Sequence, residues 1–369
     1  MSDSALKNFR LILITLLIAF FCVGKLTLFN PQKDQLFSRV GQKVSLAGTV
    51  DSFPDVREKN TRVFVQTELG RLLLIDDKKH DFLYGDLIEV HGKLTRSYPY
   101  FHRFKIYTRM YHPEEIIFLE PGKSWLTQAQ KIREIFSKNL EQALPSPHHV
   151  IATGILLGVK NELSKDVKQN FQRSGLQHLL VVSGFNVSIV MYLTMISLRK
   201  LGRRIALIGS LLVLIFFVGM TGAEPPVIRA ALMGGLVGLG KIWGRRADIL
   251  NILLFSAVIM GLFDPRIISS DIGFHLSFTA TLGIIVFAER IKLPAILSVS
   301  LAAQLSVAPL LIFYFGSFPL AGLVANIFAE PLIPITMAAS SLPAFTGSFG
   351  LPAEILLEIL LLIAHFFGS

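Results

Sequence analysis

The segment GLQHLLVVSGFNVSIV, Gly175–Val190, is apolar apart from His178, Ser183 and Asn186, and it carries a helix breaker, Gly184, near its middle. Polar side chains are expensive in hydrocarbon, so a run of this kind turns a face toward protein or water. A break after Ser183 also frees backbone groups that need partners, which a protein-lined or wet cavity supplies. The pattern recurs along the chain. Glu224 precedes Pro225 and Pro226, and Arg229 falls one turn into the helix those prolines would start. Asp271 and His275 are spaced i, i+4, on one face of one helix. Gln304, Asn326 and Glu330 follow in later apolar runs. Each has an ordinary explanation when taken alone. An arginine near a helix end snorkels, an intramembrane amide joins helices, and Asp271 is placed to cap a helix. As a set, His178, Ser183, Gly184, Asn186, Glu224, Arg229, Asp271, His275, Gln304, Asn326 and Glu330 read as the lining of a polar internal path.

Catalytic patterns are missing. No H-E-x-x-H, G-x-x-x-x-G-K-[ST] or G-x-S-x-G occurs, and there is no clustered His/Asp set for a two-metal hydrolase. The nine histidines are scattered, with only His148 and His149 adjacent. Ser183 with the distant His275 is weak support for an intramembrane serine protease. The chain therefore reads as a non-enzyme, with no cofactor and no metal.

A second candidate group lies between Lys93 and Arg109, where KLTRSYPYFHRFKIYTR interleaves five basic residues with five aromatics and no acid. Arg96, Arg103, Lys105 and Arg109 are spaced to meet phosphates, and Tyr98, Tyr100, Phe101, Phe104 or Tyr107 to stack on bases. The competing reading is a loop resting on anionic headgroups, or a solvated strand. The surrounding region 30–123 is nearly balanced, with 15 basic and 13 acidic residues.

The elements that must carry these residues follow from hydropathy. The chain has 369 residues, 52% hydrophobic and 17% charged, with a mean hydropathy of +0.56. That composition excludes an ordinary soluble domain. The apolar excess lies before residue 30 and after residue 150. KNFRLILITLLIAFFCVGKLTLF reads as an uncleaved anchor with a cytoplasmic N-terminus, since no small-x-small cleavage site follows it. Cys22 is the only cysteine, so no intrachain disulfide is possible. KVSLAGTV, TRVFVQTEL, GRLLLID, GDLIEVHGKL and EEIIFLE alternate as strands and predict a small antiparallel barrel, OB-like in its Gly-Asp entry to the fourth strand. Residues 124–150 predict an amphipathic connecting helix on a membrane surface. Membrane spans are expected at 176–198, 204–221, 226–243, 248–263, 268–288, 293–315, 319–343 and 350–367, while 151–163 is too short to cross.

Arg199, Lys200, Arg203 and Arg204, then Lys241, Arg245 and Arg246, then Arg290 and Lys292, all fall on the cytoplasmic side of this map. That placement accounts for the formal charge of +10 without an anionic partner. The expected fold is a polytopic α-helical membrane protein with an N-terminal anchor (1–30), an extracytoplasmic OB-like barrel (31–123), a connecting helix (124–150) and a polytopic part (151–369).

Four stretches together resemble the ComEC-type competence DNA-uptake family. FQRSGLQHLLVVSGFNVSIV is similar to its Gly-Leu-x-His-Leu-Leu and Val-Ser-Gly signature. GAEPPVIRAALM is similar to its Pro-x-x-Arg-Ala helix start. DPRIISSDIGFHLSFTATLGI and APLLIFYFGSFPLAGLVANIFAEPLIP resemble its two later motifs. The match covers about residues 40–345. The resemblance implies an inner-membrane channel for single-stranded DNA in natural transformation. It also implies single-stranded DNA and membrane lipid as partners, and a separate nuclease and a cytoplasmic DNA-translocating motor as further candidates. Members often carry a metallo-beta-lactamase-like domain, and strand degradation is not expected of a sequence that stops at Ser369. The alternatives are a small-molecule or ion transporter using the same polar cavity, and a structural membrane component acting with a separate nuclease chain.

Overall fold

A computed structural model describes residues 3–27, 35–56, 60–78, 80–97, 106–159, 163–244 and 248–369. The chain divides into two compact units. One holds residues 25–135 and 160–162; the other holds residues 1–24, 136–159 and 163–369.

The first unit is a barrel. Its strands are β1 (Lys43–Val50), β2 (Asp55–Val56), β3 (Thr61–Thr67), β4 (Gly70–Asp76), β5 (Leu87–Arg96), β6 (Thr108–Tyr111) and β7 (Glu115–Glu120). Pairing runs β1-β3-β4-β6-β5 and closes from β5 back to β1, a five-stranded circuit in which only β4 and β6 are parallel. Alternation along each strand sends Leu46, Val50, Val63, Val65, Leu72, Leu74, Ile88, Val90, Leu94 and Met110 into one core. The entry to β5 works as its sequence suggests. Gly85 takes φ +87°, and the Asp86 carboxylate accepts from Leu83 N–H at 2.7 Å and Gly122 N–H at 2.8 Å. One strand differs from expectation. The fifth strand of the circuit is β6, whereas the predicted EEIIFLE strand, β7, pairs outside the circuit along β5. Four residues bounded by an irregular basic-aromatic stretch give no alternating run to read.

The second unit is helical. Its elements are α1 (Asp3–Thr27), the C-terminal half of α2 (Trp125–Ala143), α3 (His148–Leu157), α4 (Lys165–Arg173), α5 (Gly184–Ser197), α6 (Arg203–Met220), α7 (Pro225–Ile242), α8 (Ile249–Phe263), α9 (Pro265–Ser270), α10 (Ile272–Phe287), α11 (Ala295–Phe315), α12 (Ala321–Ala329), α13 (Leu332–Thr346) and α14 (Leu351–Gly368). Among the described residues, four stretches are long and apolar enough to cross a membrane: Arg203–Met220, Ile272–Arg290, Leu297–Phe315 and Leu351–Gly368. The pair α12–α13, bent by 48°, makes a fifth if it counts as one span.

Every predicted span contains a helix, but several are cut short. The run 176–198 is a 3-10 turn, Gln177–Leu180, then an extended link, then α5 of 14 residues. The run 319–343 is the bent pair with Glu330 at its break. A 14-residue helix is about 21 Å long, short of a bilayer core of about 30 Å. The cause is local. Asp248, Asp264 and Asp271 each cap a helix, accepting from the N–H of Asn251, Arg266 and Phe274 at 3.1 Å.

α1 lies along α8 and α9. Arg10 donates to Asp248 at 2.7 Å and to Asn251 at 3.0 Å, Phe20 meets Gly261, and Gly24 sits against Pro265 and Ser269. The register rises in both helices together, so α1 and α8 are parallel. Elsewhere in the unit, Gly350 packs on the Ala143 carbonyl and Gly347 lies beside Asn139 and Gln142. The α13–α14 turn therefore meets the end of α2.

Candidate polar site in the helical unit

Ser183 is the residue before α5, in extended conformation, and Gly184 is the first residue of that helix. Ser183 Oγ donates to Asn186 Oδ1 at 3.0 Å, and Asn186 Nδ2 donates to the Ile155 carbonyl of α3 at 2.8 Å. Asn186 is buried at 2% exposure, so this chain of bonds fixes the start of α5 on α3. Gly184 does not take a positive φ; a Cβ placed on it would meet only Ala230 of α7, at 3.4 Å. His178 stands apart on the 3-10 turn, exposed, with its Nδ1 3.1 Å from the Gly175 carbonyl.

α7 starts where the proline pair predicts, with Glu224 as its N-cap residue and prolines in its first turn. Arg229 is buried at 2% exposure. Its guanidinium lies against Gly273 in the first turn of α10, where a Cβ would be 3.5 Å from Nη2 and 3.8 Å from Nη1. Asp271 is the acid whose charge acts on it, yet Asp271 is engaged as the α10 cap, and Arg229 Nε and Nη1 have no hydrogen-bond partner. Two contacts tie the starts of these helices: Gly184 of α5 lies against Ala230 of α7, and Arg229 of α7 lies against Gly273 of α10.

The other predicted residues fall elsewhere. His275 is held at both ring nitrogens: Nε2 donates to the Ile268 carbonyl at 2.8 Å, so Nδ1 accepts from Tyr314 Oη at 2.6 Å. The two rings stack at 5.9 Å. On α11, Gln304 donates to Ser300 Oγ at 2.8 Å, and Ser300 faces the carboxyl of Glu330 at the α12–α13 break. Asn326, one turn before Glu330, is buried with its Oδ1 unpartnered. Ser300 and Tyr314 are both on α11, fourteen residues and about 21 Å apart. The predicted residues therefore fall into separate groups: Ser183 with Asn186, Arg229 with Asp271, His275 at Tyr314, and Gln304 and Glu330 at Ser300.

Tyr314, Ser300, Gly273 and the Ile155 carbonyl belong to these groups and escaped the sequence reading. Only the Ser300–Gln304 i, i+4 spacing offered a signal.

In the barrel, Tyr98, Tyr100, Phe101, Arg103, Phe104 and Lys105 lie outside the described residues. Arg96 and Arg109 are on adjacent strands but on opposite faces. Arg109 Nε donates to Thr95 Oγ1 at 3.3 Å, while Arg96 lies 5.5 Å over the ring of Phe37. Tyr107 is buried. No group of three or more metal-ligating side chains occurs among the described residues.

A closed five-stranded barrel and a helical unit with several apolar helices of membrane length define a two-part, multi-pass type of membrane protein. The profile of the family described as Competence protein matches residues 155–368, more than half of the chain and most of the helical unit, so the chain belongs to the competence protein family. It is 30% identical over 219 residues to ComE operon protein 3 of Bacillus subtilis (strain 168), covering 56% of this chain and 28% of that protein. It is 27% identical over 312 residues to a protein of Aquifex aeolicus (strain VF5), covering 80% and 74%. It is 24% identical over 235 residues to YcaI of Escherichia coli (strain K12), covering 56% and 31%. The chain thus spans under a third of the Bacillus and Escherichia relatives. No solved structure matches.

Proposed function

We propose that this protein is the inner-membrane channel through which single-stranded DNA enters the cell during natural transformation. One observation supports the reading: the helical part that matches the competence family buries the polar Asn186 and Arg229, where hydrocarbon would exclude them, with Ser183 bonded to the first and Asp271 acting on the second. In this reading the group around Arg229 lines the outer part of the path. Gln304, Asn326 and Glu330 line the inner part, and Glu224 and His178 stand at the entrance. Tyr98, Tyr100, Phe101, Arg103 and Lys105, with Arg96 and Arg109, hand the strand to the helices from an extracytoplasmic barrel. The chain acts without catalysis of its own, alongside a separate nuclease and a cytoplasmic motor.

The test is entry of labelled DNA into cells with and without the gene. Deletion should abolish cytoplasmic label while leaving label bound at the cell surface. Undiminished entry in a transformable host would sink the proposal.

A further inference from the structure

A buried polar group without a partner costs free energy, and a buried charge costs more, so each such group in a folded protein needs an account. Arg229 is the extreme case here: 2% exposed, charged, and with Nε and Nη1 unpartnered. Its surroundings deepen the deficit. The guanidinium faces the first turn of α10, the positive end of a helix dipole. The one acid that acts on it, Asp271, already accepts from Phe274 N–H. Arginine presents a planar fork of donors that matches the oxygens of a phosphate. Around that fork the side chains are small. Gly273 lets the guanidinium approach the α10 turn, where a Cβ would lie 3.1 Å from Asp271 Oδ1 and 3.5 Å from Arg229 Nη2, and the next residue of α7, Ala230, meets Gly184 at the start of α5. Donors exceed acceptors, and the surplus faces the first turn of α10.

We infer that Arg229, with the N-terminal turn of α10, is a docking point for a phosphodiester group of the nucleic-acid strand, and that Asp271 is the internal counter-charge it displaces. The inference rests on the DNA-transport reading and adds to it a specific site and a competition. With no strand bound, Asp271 offsets the arginine. When a phosphate arrives it takes the vacant donors, and Asp271 then opposes it, so the phosphate is held loosely enough to leave. The site reads the backbone and not the bases, as sequence-independent passage requires.

The test uses the full chain in nanodiscs of phosphatidylcholine, with a short abasic single strand as probe and affinity measured across a salt series. Arg229→Gln should weaken binding by tenfold or more and flatten the salt slope by about 0.7, the share of a single neutralised phosphate. Arg229→Lys, which keeps the charge and loses the fork, should fall between. Asp271→Asn keeps a capping side chain and should tighten binding. Affinity unchanged in Arg229→Gln, or weakened in Asp271→Asn, overturns the site. Stabilisation of the wild type by phosphatidylglycerol discs, with no response to the abasic strand, makes the ligand a lipid headgroup and also overturns it. Cellular uptake separates the two claims. If deletion of the gene abolishes entry but binding ignores Arg229, this site fails and the transport reading stands.

Discussion

Asn186 does at residue level what the break before α5 demands. Its amide accepts from Ser183 and donates to the Ile155 carbonyl, so one side chain satisfies groups on both sides of the gap between α3 and α5. Asn186→Leu keeps the volume and strands both partners, at about 1–3 kcal/mol for each unsatisfied group. The purified variant should unfold at a lower temperature than the wild type, while Tyr192→Leu on the exposed face of α5 should not. Equal losses in the two variants would show that the amide carries no special weight. Residue types were legible from the sequence here: polar side chains beside a Ser-Gly break in an apolar run signal a face turned from lipid. Partners were not. Tyr314 lies 39 residues from His275, and nothing in either local pattern announces their bond.

At the scale of elements, hydropathy found the helices and missed their ends. A single capping acid such as Asp264 or Asp271 barely moves the average of a long apolar window, yet it starts a new helix and turns the chain. Strands fared better because alternation is a strict period of two, and only β2 and β6, of two and four residues, were too short to show it. The bent pair α12–α13 has a consequence for topology. The expected spans place the turn after α13 in the cytoplasm and α2 outside it, but Gly347 and Gly350 lie against Asn139, Gln142 and Ala143. Cysteines placed at Ser348 and at Gln142, each in a Cys22→Ser background, should therefore react with a membrane-impermeant thiol reagent from the same side. Labelling from opposite sides would contradict the packing.

For the whole molecule, the proposed orientation makes a direct prediction about the barrel. A reporter enzyme that works only after export, inserted at the exposed Lys78, should be active, and a cytoplasmic reporter at the same position should be silent. The opposite result would invert the map. The barrel's existence was legible from its strands, and the helical unit's from its apolar runs. The parallel pairing of α1 with α8 was not, because it joins segments 238 residues apart through the bond between Arg10 and Asp248. That bond also orders events on the ribosome. At about 5–20 residues per second, α1 waits roughly 12 to 48 s for its partner to be made. During that time the barrel has been translated and has every local contact it needs to fold, while the first helix still lacks a companion. Nascent chains halted before Asp248 should thus hold a finished barrel and an unpaired α1, a stage at which quality-control proteases can discriminate aborted chains from complete ones.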